Sequence, residues 1–423
     1  MLATSRPRPS AWRVVFAFGL VSLFADMVYE GARSLYGPAL VALGASAAIV
    51  GLITGAGEAM ALVLRLFAGP VADRRGAHWS FTILGYGLTA ACVPLLALAP
   101  RFGAAGLLVG SALILLERAG KAVRSPSKSA LLAYAAKAVG RGKGFGVHKA
   151  LDQVGAFAGP LAAAAVIVVT GSLWLGFGWL VLPGVVAMVI LLAIRRTVPD
   201  MRVYAPEPAD EESPAAGPAV GWWRGALGAQ LPRAFFAYAV AAALTTAGLV
   251  TFAVISVHLT RDLGVATAAI PLIYAGAMLV EALAALLTGW VFDRVGARIL
   301  LVVPLLVAAV PALAFAPVLG LALAGVAVWA GAYGIQDSTI KALVADLVPA
   351  GQLAGAYGIF AAIQGAFAIA GGFWAGFLLD RSIPALVAVV AGTQIVAFAL
   401  LLWTVRRSAT GVSPGAGNRS ARP

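Results

Sequence analysis

Long apolar runs alternate with short polar connections along almost the whole chain. Twelve such runs stand out, at roughly 14–36, 46–68, 80–99, 103–128, 145–169 and 172–194, then at 234–258, 267–290, 298–317, 319–342, 353–377 and 384–405. Each is close to the roughly 20 residues that an α-helix needs to cross a bilayer core. The one long polar interruption, Val198 to Arg224, is rich in Pro, Asp and Glu and is expected to be disordered or weakly helical. The pattern predicts an all-α membrane protein with 12 transmembrane helices. Its parts are a six-helix half at 1–197, a cytoplasmic linker at 198–230, a second six-helix half at 231–408 and a disordered tail at 409–423.

Composition strengthens this reading. Of the 423 residues 61% are hydrophobic and 11% charged, and the mean hydropathy is +0.95. A soluble domain carries about 25% charged residues, so too few remain here to cover a body of this size. The net charge of +13 would in a soluble chain suggest nucleic acid, but the basic residues sit in short connections without aromatic interleaving. Of 30 Lys and Arg, 19 fall on one set of alternating connections and three (Arg101, Arg261, Arg381) on the other, which predicts both termini on the cytoplasmic side of an inner membrane. The apolar stretch after the basic N-terminus runs straight on through Asp26 and Glu30, so a retained first helix is expected, not a cleaved signal. The single cysteine, Cys92, allows no disulfide or thiolate metal site, and no cofactor or metal is expected.

Two stretches recur. GPVADRRGAH (Gly69 to His78) returns as GWVFDRVGAR (Gly289 to Arg298), and GVHKALDQVGAFAGP (Gly146 to Pro160) aligns with GIFAAIQGAFAIAGG (Gly358 to Gly372). Each copy occupies the matching place in its half, as expected of two pseudo-symmetric six-helix bundles related as a parallel repeat. The repeated Gly-x-x-x-Asp-Arg-x-Gly resembles the signature of the major facilitator superfamily (MFS), found there between helices two and three and echoed between eight and nine. That resemblance implies the MFS fold and a rocker-switch transporter. It also implies a conformational-switch motif at Gly69, Asp73, Arg74 and Gly76, and at Gly289, Asp293, Arg294 and Gly296. Ala77 and His78 stand where the family usually has basic residues, which weakens the first charge network.

Ionisable groups at membrane depth are costly and persist mainly where they pair or line a watery cavity. Twelve of them fall in the first half, and only Glu281, Asp337 and Lys341 in the second. Asp26, Glu30 and Arg33 share one helical stripe, Glu58 and Arg65 another, and Glu117, Lys121, Arg124 and Lys128 a third with Arg118 beside them. His148 and Asp152 are i, i+4 partners next to Lys149. Structural ion pairing accounts for any one of these groups; the cluster as a whole is expected to line a cavity. Proton-coupling candidates are Asp26, Glu30, Glu58, Glu117, Asp152 and His148, because burial and neighbouring cations compete over a carboxyl's proton. Substrate candidates are Arg33, Arg65, Arg118, Lys121, Arg124, Lys149, Glu281, Gln336, Asp337 and Gln364, with an acidic or zwitterionic group expected against the fourth helix.

Gly155, Gly159 and Pro160 resemble the Gly-x-x-x-Gly-Pro signature that the superfamily associates with proton antiporters, although close helix packing explains the same residues. The reading is secondary active export of a small organic solute against protons, by a monomer in the lipid bilayer. Proton-linked uptake of an anionic metabolite and a non-transporting sensor remain alternatives. Enzymatic chemistry is not expected: no nucleotide-binding P-loop or H-E-x-x-H motif is present.

Overall fold

The structure is a computed structural model that describes residues 9–204, 231–339, 342–348 and 353–411. The helices are α1 (Ala11–Arg33), α2 (Tyr36–Ala42), α3 (Ala47–Arg75), α4 (His78–Leu95), α5 (Gly106–Val139), α6 (Arg141–Thr170), α7 (Leu173–Gly178) and α8 (Val181–Thr197). The second series is α9 (Arg233–Gly248), α10 (Phe252–Arg261), α11 (Ala269–Val295), α12 (Val302–Ala314), α13 (Leu319–Thr339), α14 (Ala342–Leu347), α15 (Leu353–Leu379) and α16 (Ile383–Gly411). Eleven stretches are long and apolar enough to cross a membrane; one of them, His78–Val139, spans 62 residues and holds two crossings, α4 and α5, joined by a 3-10 turn. Twelve crossings therefore stand among the described residues, and the even number puts Pro9 and Gly411 at the same end. That end is called proximal below, and the opposite end distal.

Local sequence sets the helix limits. Ser10 and Ser46 accept hydrogen bonds from Arg13 N–H (3.4 Å) and Ile49 N–H (3.3 Å), capping α1 and α3. At Gly76 α3 stops in the left-handed region (φ 57°), where a side chain would be strained. Large apolar side chains such as Leu108, Val169, Leu286 and Ile395 face outward, as lipid contact requires.

Two crossings are broken where a single run was expected. The first splits at Ser34–Leu35, between α1 and α2, and the seventh at Leu249–Thr251, between α9 and α10. Unpaired backbone groups at membrane depth need partners. Ser34 Oγ donates to the Gly31 carbonyl (2.6 Å), and Trp329 Nε1 donates to the Val250 carbonyl (2.7 Å). The breaks occupy equivalent places in the two halves, as the internal repeat predicts.

Packing differs between the two ends. At the proximal end each half has its own core: Val15, Phe18, Leu132 and Leu191 in the first, Phe235, Val344, Phe360 and Leu401 in the second. At the distal end one continuous core, including Leu35, Tyr36, Phe252, Tyr274 and Trp329, joins both halves. Antiparallel α3 and α15 meet there almost backbone to backbone. A Cβ at Gly51 would collide with the Gly372 carbonyl, one at Gly55 with the Ala368 carbonyl and one at Gly376 with the Ala47 carbonyl. Toward the proximal end the contact runs out: the α-carbon of Gly69 faces Pro126 in its own half, and that of Gly289 has no neighbour within 4 Å among the described residues.

The linker expected at 198–230 begins as ordered chain. Val198 and Met201 are buried, Trp79 Nε1 donates to the Pro199 carbonyl (2.9 Å), and the Tyr204 hydroxyl donates to the Pro9 carbonyl (2.7 Å). Residues 205–230 and 412–423 of the expected linker and tail, and the side chains of Asp293 and Lys341, lie outside the description. The fourth and fifth helices extend beyond the expected 103–128 and 145–169, to Val139 and back to Arg141, so the basic segment near Lys137 is helical and the chain turns only at Gly140.

Candidate functional site

A cavity of about 360 Å³ lies between the halves, above the distal core. Its first-half wall comes from α1, α3, α5 and α6 and presents Asp26, Glu30, Arg33, Glu58, Arg65, Arg118, Lys121, Arg124, Lys128, Lys149 and Asp152. Its second-half wall presents Glu281, Asp337, Gln336, Gln364 and Thr246, with Met278, Trp329 and Tyr333 between them. Lys149 (side chain 66% exposed) and Asp337 are the solvent-exposed members, so the cavity opens toward the proximal end.

Charges at bilayer depth cost at least about 2.5–3.5 kcal/mol each, and their distribution accounts for most of the wall's geometry. Glu58 accepts from Arg33 (2.9 Å) and lies 3.5 Å from Arg118. Arg118 also donates to the Tyr29 hydroxyl and stacks over that ring. Arg124 donates to Thr89 Oγ1 (2.5 Å) and stands 3.9 Å from Asp26. Lys149 reaches Asp152 at 3.0 Å, and Ser22 donates to the same carboxyl at 3.0 Å. Asp26 on α1 and Asp152 on α6 both face the cavity. Their helices are drawn together by Gly155 and Gly159, whose missing side chains would strike the backbone of Leu23 and Met27 on α1.

One bond ties the charged wall to the other half. The Tyr274 hydroxyl on α11 donates to Glu30 Oε2 at 2.6 Å, and Glu30 is also 3.8 Å from Arg33. Arg33 in turn lies over the Tyr333 ring, 5.5 Å from its centre.

Most of the expected residues converge on this cavity; two do not. Glu117 is fully buried outside the lining, where it accepts from the Tyr36 hydroxyl (3.4 Å) and lies 3.7 Å from Arg118. Its azimuth on α5 matches that of Lys121 and Lys128, but it sits closer to the distal end, where the shared core closes over it. His148 lies behind the wall, its Nε2 3.0 Å from Lys128 Nζ and 3.3 Å from Ser22 Oγ. Neither fits the expectation of one common hollow. Tyr274 as the partner of Glu30 was not anticipated, and no sequence signal marks it beyond an aromatic residue in an apolar run.

Among the described side chains, the switch motifs make no contact across the halves. Asp73 lies 3.5 Å from His78 Nε2, so the residue that replaces a basic one in the family pattern is its neighbour. Arg74 is exposed, and Arg294 stacks over Trp290, 3.2 Å from the ring centre. A proximal end that stands open leaves these groups without partners from the opposite half among the described residues.

Comparison with known proteins agrees with this architecture. The sequence model of the Major Facilitator Superfamily matches residues 18–256 and 234–422. Uncharacterized protein Rv2265 of Mycobacterium tuberculosis (strain H37Rv) is 44% identical over 401 residues, which is 95% of each chain. An uncharacterized MFS-type transporter, MJ1317 of Methanocaldococcus jannaschii, is 28% identical over 145 residues, 34% of this chain and 35% of its own. Among solved structures, a peptide transporter of the POT type in complex with sulfate superposes with a TM-score of 0.74 at 17% identity, covering 96% of this chain and 97% of that one. A mutant of the nucleoside transporter NupG gives 0.74 at 14% identity, covering 92% and 99%. At such identity these likenesses speak to the fold. With the family matched over nearly the whole sequence and twelve crossings arranged around one cavity, the chain belongs to the Major Facilitator Superfamily and is a membrane transporter.

Proposed function

We propose that the protein carries a small organic solute across a bacterial-type inner membrane by alternating access, in exchange for protons, as a monomer with its proximal end in the cytoplasm. The observation that carries this reading is the contrast between the ends: a shared core seals the distal end, while separate cores leave the charged cavity open proximally. Rocking the halves about the cavity would break the distal α3–α15 contact and bring the Asp73 and Asp293 motifs together. The excess of basic residues on proximal connections supports the cytoplasmic placement.

Coupling is assigned to the Asp26–Asp152 pair. A proton bound by either carboxyl would neutralise it beside Arg124 or Lys149, and its departure would leave two anions that draw those cations closer. Glu30 carries the message between halves, because protonation would weaken its acceptance of the Tyr274 hydroxyl. The helix-five glycines serve as packing surface for α1, which holds the pair together, so the outward direction rests on the family resemblance of that motif.

Reconstituted vesicles with an imposed proton gradient and an internal pH dye test the reading. Solute added on the proximal side is expected to move against the proton flux, and Asp152→Asn to abolish that coupling while solute equilibration persists. Co-movement of solute and protons would reverse the direction to uptake, and solute flux indifferent to the gradient would remove proton coupling.

A further inference from the structure

The cavity is electrically divided, and the division is not closed by the protein's own ion pairs. On the first-half wall Arg33, Arg118, Arg124 and Lys149 each have a carboxylate within 4.0 Å. Arg65, Lys121 and Lys128 have none among the described residues. Arg65 Nε is buried without a hydrogen-bond partner among the described residues, Lys121 Nζ sits over the Tyr29 ring (3.4 Å from its centre), and Lys128 Nζ lies 3.1 Å from Ser22 Oγ and 3.0 Å from His148 Nε2. The opposite wall has the reverse character. Its charged groups are Glu281 and Asp337, with no Lys or Arg among the described lining, and Glu281 Oε2 is buried without a partner. Unpaired ions inside a membrane protein mark a place where a ligand or water supplies the missing charge.

We infer that the cargo is a small zwitterion, with its anionic group held by Arg65 and Lys121 on α3 and α5 and its ammonium group by Glu281 on α11. Such a molecule neutralises both walls at once, which neither a simple anion nor a simple cation does. Bridging the halves across the gap, it favours their closing over it. Gln336, whose amide oxygen is also buried without a partner, offers a second acceptor to the ammonium. Trp329, Tyr333 and Met278 give the space between the two charged ends an apolar side, so a hydrophobic side chain is accommodated there. The volume of about 360 Å³ suits an amino acid or a short peptide-sized compound, at the lower end of the range of about 300–1,000 Å³ for small-molecule sites. This inference names the substrate class for the transport reading and rests on it.

The test uses full-length purified protein and matched triplets of probes: amino acids and dipeptides, the N-acetyl derivative of each, and the carboxamide of each. Binding is read by thermal stabilisation and by tryptophan fluorescence. At least one zwitterion is expected to bind about tenfold or more tighter than both singly charged members of its triplet. Arg65→Gln is expected to remove its advantage over the carboxamide, and Glu281→Gln its advantage over the N-acetyl compound. The conservative Glu281→Asp should retain part of the latter. Triplets in which a singly charged member binds best, or a folded wild-type protein that binds no zwitterion in the panel, would overturn the inference. Transport itself is judged separately, by maleimide labelling of Ala253→Cys at the sealed distal end. Labelling that appears during turnover keeps alternating access even if the zwitterions fail; labelling that never appears removes alternating access even if they bind.

Discussion

The two halves build the same six-crossing bundle from the same internal repeat, yet they face the cavity with different chemistry. Among the described residues, the first half lines it with eleven Asp, Glu, Lys and Arg side chains, the second with two. In the first, most charges are satisfied within the wall, through Glu58 between Arg33 and Arg118, Asp26 near Arg124, and Asp152 against Lys149. The second half offers amides, a hydroxyl and aromatic faces, with Gln336 and Gln364 both donating to Thr246 Oγ1 (2.9 and 3.1 Å). Sharing a fold thus leaves the halves free to divide labour: one holds a network of charges, the other a less charged wall that faces it.

The largest expected effect separates network from wall. Glu58→Gln takes from two buried guanidinium groups their nearest carboxylate, leaving Glu30 and Glu117 at 3.8 and 3.7 Å, and is predicted to lower unfolding free energy by about 3 kcal/mol. Asp337→Asn, at an exposed position without a partner among the described residues, should change it by less than about 0.5 kcal/mol. Thermal and denaturant unfolding in detergent read both, and equal losses would erase the distinction between the halves. Next comes the seam: Gly51→Val forces a side chain into the Gly372 carbonyl and should cost about 1–3 kcal/mol of distal closure, seen as maleimide labelling of Ala253→Cys without substrate. An unlabelled cysteine in that background would show that the seam tolerates separation.

Smaller effects probe the ties between and within halves. Tyr274→Phe removes one hydrogen bond to a carboxylate and is predicted to favour the distal-open state by about 1.5–3 kcal/mol, less if water replaces the hydroxyl. An unchanged conformational balance would take Glu30 out of the inter-half coupling. The smallest effect is at the distal surface, where Arg261 meets Asp380 at 2.6 Å and Asp262 at 2.8 Å. Exposed pairs of this kind are worth about 0–1 kcal/mol, so Asp380→Asn should leave the melting temperature nearly unchanged. Partial burial pushes the Asp262 carboxyl up, but hydrogen bonds from Arg261 and His258 hold it below the ordinary Asp value. A carboxyl lowered on folding contributes stability above its unfolded pKa and loses it as pH falls through the folded value. Any distal loosening by acid should therefore begin below the normal Asp range, and Asp262→Asn should remove that step from a melting-temperature profile against pH.

How far the sequence foretold this site follows from what each signal encodes. Helical stripes report azimuth, and they placed Asp26, Glu30, Arg33, Glu58 and Arg65 on one common cavity correctly. They do not report depth, which is why Glu117 shares the stripe of Lys121 yet lies under the distal core. They also do not report the third neighbour: His148 and Asp152 share a face, but Ser22 and Lys128 draw the histidine behind the wall. The breaks at Ser34–Leu35 and Leu249–Thr251 were hidden because hydropathy is blind to a backbone whose carbonyls are satisfied by Ser34 and Trp329. The Glu30–Tyr274 bond joins residues far apart in sequence and depends on how the halves close, a property of tertiary packing that no local pattern carries.

Distances between spin labels test the central claim, that the halves rock about this cavity, most directly. One pair, Ala42→Cys with Ala266→Cys, reports the distal end; a second, Arg75→Cys with Arg298→Cys, reports the proximal end, both with Cys92→Ala. All four labelled sites are exposed. The account predicts two populations in each pair, with the distal distance lengthening as the proximal one shortens and the balance moving with pH. A single population at every pH and with every probe, or both distances changing in the same sense, would contradict it.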